Sequence, residues 1–198
     1  MKGKITKNCE EEHYTIVYFD VMKDLQIGFT EYIVLQTMLH YSKRNLCNIE
    51  KSNLSRKLFI ARNTLNNSLN KLVFKEHISK DEIGSKTYYL NPDIKERFEC
   101  KKGNYVRIYH KHRKELQLSI KQYVFLYLIY THSKNYKNKI AIAGKSQYCK
   151  YINFSESHFA TTKSKLMKMS LLEYQETSFL KLNEDVFNWF ENKITVQK

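Results

Sequence analysis

YTIVYFDVMKDLQIGFTEYIVLQTMLHYSK, residues 14–43, and YVRIYHKHRKELQLSIKQYVFLYLIYTHSK, residues 105–134, superpose at a constant offset of 91. Nine of the 30 positions are identical: Tyr14/Tyr105, Tyr18/Tyr109, Lys23/Lys114, Leu25/Leu116, Gln26/Gln117, Tyr32/Tyr123, Leu35/Leu126, Ser42/Ser133 and Lys43/Lys134. Chance gives about two at ordinary residue frequencies. The register returns at an offset of 92, where YYLNPDIKERFE faces FLKLNEDVFNWFE and Leu90/Leu182, Asn91/Asn183, Asp93/Asp185, Phe98/Phe190 and Glu99/Glu191 coincide. An internal repeat of this length marks a duplicated structural unit. The expected organisation is a first unit over 1–99, a linker at 100–104 (Cys100-Lys101-Lys102-Gly103-Asn104, short, polar and glycine-bearing) and a second unit over 105–198.

Within each unit the pattern predicts an opening strand (Tyr14 to Phe19; Tyr105 to Tyr109). A helix follows, with apolar residues three and four apart: Tyr32, Leu35, Met38 and Leu39 in the first copy, and Tyr123, Leu126, Ile129 and Tyr130 in the second. Then KSNLSRKLF, two residues and RNTLNNSLNKL read as two short helices joined by a tight turn, with Leu54, Leu58, Leu65, Leu69 and Leu72 inward. Two strands, His77 to Ile83 and Lys86 to Leu90, are expected around a Gly84-Ser85 turn, and a short helix over Asp93 to Glu99 closes the unit. The second copy offers KSQYCKYIN, then ESHFATTKSKLMKM behind Ser155 as N-cap, a hairpin around Gln175 to Ser178 and a closing helix from Glu184. Lys163 stands where the first copy has inward Leu69, so the second helix is either rotated or its lysine snorkels. The fold class expected is mainly α with small β-hairpins (α+β), in two tandem winged helix-turn-helix units.

The 198 residues carry 34 Lys and Arg against 20 Asp and Glu, a net charge of +14 that favours polyanionic partners, nucleic acid first. The excess is uneven: 16 basic and 13 acidic residues up to Cys100, then 18 and 7. Cys9, Cys47, Cys100 and Cys149 form no CxxC pair, no run of about 20 apolar residues occurs, and the opening MKGKITKNCEEE, which lacks an apolar run, leads one to expect no secretory leader. A cytoplasmic protein with free thiols is expected, with no membrane partner.

In a helix-turn-helix the second helix enters the major groove, where Asn, Arg and Lys can read base edges. With Leu65, Leu69 and Leu72 inward, Asn63, Asn67 and Asn70 point outward, flanked by Thr64 and Lys71, with Arg62 at the helix start. Asparagine is a mediocre helix former, so three on one exposed stripe cost helix propensity, which groove reading explains. The matching stripe in the second copy is Ser157, Thr161, Ser164 and Lys168, with His158 and Lys165 beside it. Phosphate contacts are expected from Lys51, Ser52, Lys145 and Ser146 at the preceding helix starts and from Lys80 and Lys86 in the wing.

The stretches NYVRIYHKHRKELQLS from Asn104, LSRKLFIARNTLNNSLNKL and YYLNPDI resemble the winged-helix replication proteins of small Gram-positive plasmids, the RepL-like group. The resemblance covers one unit at a time, and the Leu-Asn-Pro-acidic ending of copy one becomes Leu-Asn-Glu-Asp in copy two. It implies double-stranded DNA as partner and a role in transcription or replication of a plasmid or phage; a homodimer is left open.

Two rivals are weighed. Winged helices also serve as protein-interaction modules or single-strand binders, for which the aromatic residues would be stacking platforms. A metal-dependent nicking enzyme would use His110 and His112, whose i, i+2 spacing puts two imidazoles on one strand face, with Tyr123 or Tyr127 as nucleophile. The residue between the histidines is Lys111, no third ligand has a recognisable spacing, and copy one has Phe19, Asp20 and Val21 there. No enzyme activity and no cofactor are expected.

Overall fold

The computed structural model describes residues 14–80, 86–99, 103–141, 145–152, 154–175 and 179–195. The expected Gly84-Ser85 turn, the linker residues Cys100 to Lys102 and the hairpin tip at 176–178 lie outside these. The architecture is α+β with small antiparallel sheets. Strand β1 (Tyr14–Tyr18) leads through the short α1 (Phe19–Asp24) into α2 (Phe29–Tyr41), then β2 (Leu46–Cys47), α3 (Lys51–Leu58), α4 (Arg62–Phe74), β3 (Ile78–Lys80), β4 (Tyr88–Leu90) and α5 (Asp93–Glu99). The series then repeats as β5 (Tyr105–Tyr109), α6 (His110–Glu115), α7 (Ile120–Ser133), β6 (Ile140–Ala141), α8 (Lys145–Ile152), α9 (Glu156–Lys168), β7 (Leu172–Gln175), β8 (Phe179–Leu182) and α10 (Glu184–Thr195).

The repeat reaches backbone conformation. Gln26 and Gln117 both sit at φ 52°, Glu76 and Ser170 at 59° and 55°, and Asn45 and Lys139 at 66° and 55°. These are left-handed positions that favour glycine, yet each is held by a side-chain-bearing residue in both halves. Around Gln26 and Gln117 the reason is a double helix-ending hydrogen bond: Ile27 N–H donates to Met22 O and Gln26 N–H to Lys23 O, matched by Leu118 to Arg113 and Gln117 to Lys114. The sheets repeat too, in the order β2-β4-β3 and β6-β8-β7, with Leu46 opposite Tyr89 and Ile140 opposite Lys181. The two-residue strands β2 and β6 escaped sequence reading because they are too short to show alternation.

The opening strands do not stay within their own halves. β1 and β5 pair antiparallel as a two-stranded ribbon, in the register Tyr14↔Tyr109, Ile16↔Arg107 and Tyr18↔Tyr105. Since Tyr105, Arg107 and Tyr109 are the repeat equivalents of Tyr14, Ile16 and Tyr18, each residue pairs with the counterpart of its own mirror position. The ribbon therefore has a local twofold axis through Ile16 and Arg107. The ring pairs it relates are nearly alike: Tyr14–Tyr109 at 5.4 Å and 44°, Tyr18–Tyr105 at 5.6 Å and 49°. The equivalent helices α2 and α7 pack on each other.

This arrangement changes the core. Sequence periodicity gives α2 and α7 one apolar stripe each; in the structure α7 is buried from Gln122 through Tyr130, and the buried side chains of both halves form one continuous cluster. Val17, Val106 and Ile108 on the inner ribbon face are fully buried within it, each contributing about 1.5–3 kcal/mol.

A polar clamp crosses between halves. Arg113, buried on α6, donates from Nη1 to Leu118 O (2.8 Å) and from Nη2 to Leu58 O (2.8 Å) and Phe59 O (2.9 Å), at the end of α3. Burial pushes its guanidinium pKa down, but an arginine stays charged in any accessible range, so three carbonyls answer its desolvation. Arg113→Ala is expected to lower unfolding free energy by about 3 kcal/mol, because it strands carbonyls in the interior. Arg97→Ala, which removes an exposed pair with Asp24, is expected to stay within about 0.5 kcal/mol. Urea denaturation of both variants checks the contrast.

Candidate nucleic-acid interface

The segment between α3 and α4 is a turn of three residues whose first, Phe59, is left-handed at φ 47°. Ser55 Oγ donates to Ile60 O at 2.6 Å, Ile60 N–H returns to Ser55 O, and the ammonium of Lys114 in the other half lies 4.9 Å from the Phe59 ring. With Arg113 on the Leu58 and Phe59 carbonyls, the angle at which α4 leaves α3 is held from both sides.

Helix α4 buries Leu65, Ser68, Leu69 and Leu72 and leaves Arg62, Asn63, Thr64, Asn67, Asn70 and Lys71 exposed, as the stripe reading expects. Lys71 is partly committed elsewhere: its ammonium lies 3.2 Å from Glu31 Oε1, a largely buried carboxylate in the first turn of α2. That pairing ties α4 to α2 and leaves Lys71 less available than the asparagines.

Lys51, Ser52, Arg62, Lys80 and Lys86 converge with Glu50, Leu65 and Asn66 around one groove between the starts of α3 and α4 and the β3–β4 strands. Sequence reading had these cations on three separate elements; the structure brings them to one concavity, where the positive ends of two helices add to them. Among the described residues Glu50 is the one carboxylate in that lining. Lys86 donates to it at 3.0 Å and Ser52 at 3.4 Å, and the Lys86 hydrogen bond and charge hold its carboxyl below the usual range.

The second half is built on the same plan with different charges. Ser155 caps α9, accepting from His158 N–H at 3.3 Å. Phe159, Thr162 and Leu166 are buried, in register with Leu65, Ser68 and Leu72, so α9 is not rotated; Lys163 keeps the Leu69 position and is half-buried. Ser157, His158, Thr161, Ser164, Lys165 and Lys168 are exposed. Several are engaged locally, with Thr161 Oγ1 donating to Ser157 O at 2.9 Å and Ser155 Oγ within 3.0 Å of Ser157 Oγ.

At the start of α9 Glu156 occupies the place of Arg62, and Lys145, the counterpart of Lys51, lies 2.6 Å from its Oε2. The Lys145 hydrogen bond holds the Glu156 carboxyl below its ordinary range. Lys145 is thus paired rather than open, with Ser146 exposed beside it. The Arg62/Glu156 exchange was present in the aligned copies and is the signal that sequence reading passed over.

His110 and His112 lie on helix α6, not on a strand. Residues two apart on a helix project about 200° from each other, so they share no face. His110 is fully buried, its Nε2 2.7 Å from Thr15 Oγ1, while His112 stacks on Trp189 at 3.4 Å. Tyr123 and Tyr127 are buried, and desolvation lifts the Tyr127 phenol to about 12. Among the described residues no helix is long and apolar enough to cross a membrane. Cys47, buried, and Cys149 are free thiols.

No protein-family model matches the chain, and a search of curated proteins finds no match. Among solved structures, the crystal structure of the DIP2311 protein from Corynebacterium diphtheriae aligns with 85% of this chain at 11% identity and a TM-score of 0.28. The chain spans 28% of the length of that protein.

Glu156→Gln removes the carboxylate and releases Lys145. The expected outcome is tighter binding to any duplex, with the slope of log K against log salt steeper by about one, measured by fluorescence anisotropy across a salt series.

Proposed function

We propose that the chain is a sequence-specific double-stranded DNA-binding protein made of two winged helix-turn-helix units, and that it controls transcription or replication initiation of a plasmid or phage. The observation that carries this reading is the groove of Lys51, Ser52, Arg62, Lys80 and Lys86 beside the exposed Asn63, Asn67 and Asn70 of α4. The cations suit the phosphates on either side of a major groove; the asparagines have the paired donor and acceptor that match adenine N7 and N6. In this reading α3 and α4 are the helix pair, β3–β4 the wing, and β2 the strand that completes its sheet. In the second unit α8, α9 and β7–β8 take these roles, and Ser157, Thr161, Ser164, Lys165 and Lys168 face the duplex. The net charge of +14 supports a polyanionic partner, and the resemblance to plasmid replication proteins supports the biological setting.

A second reading has its own observation. On the outer ribbon face Tyr14 and Tyr105 are 38% and 41% exposed, and the Arg107 guanidinium lies 5.9 and 5.8 Å from their ring centres. Exposed aromatic rings beside a cation are what single-stranded bases stack on.

The two readings part in a mutational series. For duplex reading, Asn67→Ala is expected to relax base preference by about 1–3 kcal/mol at one position, whereas Lys51→Ala weakens binding to every sequence and lowers the salt slope by about one. Tyr14→Ala leaves duplex affinity unchanged. Retention of single-strand binding by the Asn67 and Lys51 variants, with its loss in the Tyr14 variant, would establish the stacking reading instead.

A further inference from the structure

We infer that the chain, resting on the duplex-binding reading above, takes as its substrate an inverted pair of unequal half-sites, both occupied by one molecule. Three observations carry this. The first is the strand register: Tyr14↔Tyr109 and Tyr18↔Tyr105 exchange the repeat mates of the two strand ends, and Ile16 faces its own mate, Arg107, at the centre. Only a twofold operation does this; units following each other by translation along a duplex cannot pair equivalent strands antiparallel in that register.

The second is that the operation extends beyond the ribbon. The equivalent helices α2 and α7 pack against each other, as they must beside a twofold. Each half then reaches its groove-facing helix through the same element series, with left-handed residues matched at Gln26/Gln117 and Asn45/Lys139, so the relation set at β1 and β5 passes to α4 and α9. Their clusters also match in kind, with Tyr32 against Phe98 at 5.0 Å in one half and Tyr123 against Phe190 at 5.6 Å in the other. A protein twofold is matched by a palindromic duplex, because the two strands of DNA are related in the same way.

The third concerns rigidity and inequality. The Arg113 bonds to the Leu58 and Phe59 carbonyls join α6 of one half to the turn that aims α4 of the other. The twofold position of Arg113 is held by Met22, which has no such donors, so the clamp acts on the first unit alone. That unit presents Arg62 and three asparagines, while the second presents hydroxyls and lysines behind the Lys145–Glu156 pair. The clamped unit is the stringent reader, with a preference for adenine; the other is permissive. A homodimer binding a palindrome would read its halves equally, whereas this chain reads them unequally and needs no second copy.

The test is selection of bound duplexes from a random library with the full chain, followed by four measurements on the sequence obtained. Inversion of one half in place is expected to weaken binding at least tenfold. Sedimentation of the complex is expected to give one chain per duplex. In repeat selections, Asn67→Ala is expected to erase preference in one half only and Thr161→Ala in the other, on opposite strands. A direct repeat, indifference to half-site orientation, or two chains on one inverted site would overturn the inference and leave duplex binding standing. Enrichment of no duplex sequence would remove both.

Discussion

The antiparallel pairing of β1 with β5 is the contact on which the rest of the molecule depends. A two-stranded ribbon is marginal on its own in water; here it holds because its two faces do different work. Val17, Val106 and Ile108 enter the shared core, and the tyrosines above meet in tilted, twofold-related pairs, with the Trp189 ring edge-on to Tyr109 at 5.5 Å. The strands that pair are about ninety positions apart, so the ribbon joins the two halves of the chain as a dimer interface joins two subunits. It resembles an isologous interface, in which one surface meets its own copy.

Duplication followed by pairing of the copies leaves each free to change where the other need not. The two halves agree in strand register, in the left-handed pairs Gln26/Gln117, Asn45/Lys139 and Glu76/Ser170, and in three of the four buried positions of α4 and α9, the exception being Leu69 against half-buried Lys163. They differ in charge on the surface that faces away. Arg62 against Glu156 is an exchange at matching positions, and it leaves Lys145 paired where Lys51 has no ion pair among the described residues. The polar contacts near the centre have also become one-sided. Arg113 bonds across to the α3–α4 turn, His110 bonds to Thr15, and His112 stacks on the Trp189 ring, whereas their repeat mates Met22, Phe19 and Val21 have apolar side chains. The imidazoles that looked like a ligand pair are part of this central packing.

Much was legible along the chain. Periodicity located α3, α4, α5 and α9 to within a residue or two; Leu65, Leu69 and Leu72 face inward and the asparagines outward; Ser155 is the cap it resembles. The capping box formed by Ser119 and Gln122 at the start of α7 was equally readable from its spacing, while Gly28 and Glu31 hold the same places in the first copy. A carbon at the Cβ position of Gly28 would lie 2.6 Å from Glu31 Oε2, so a side chain there would crowd the carboxylate that meets Lys71. The one-sided apolar stripe expected of α7 fails because its other face is covered too, by Tyr148, Phe154 and Phe159 of its own half around Phe125 and by α2 of the other, and no period within the helix reports on that.

The sequence by itself determined that the chain carries one unit twice, which segments are helical, and which side of each faces inward, since these follow from capping, periodicity and side-chain size among neighbouring residues. Only the tertiary structure decided that the opening strands pair with each other across a twofold, that Arg113 reaches the far turn, that Lys71, Lys86 and Lys145 are tied to carboxylates, and that Lys51, Arg62, Lys80 and Lys86 share one groove. The reason is physical. Strand pairing uses backbone groups common to every residue, so a strand's pattern announces its two faces but not its partner; and a charged side chain finds its neighbour through the distance left when helices pack, which no local spacing contains.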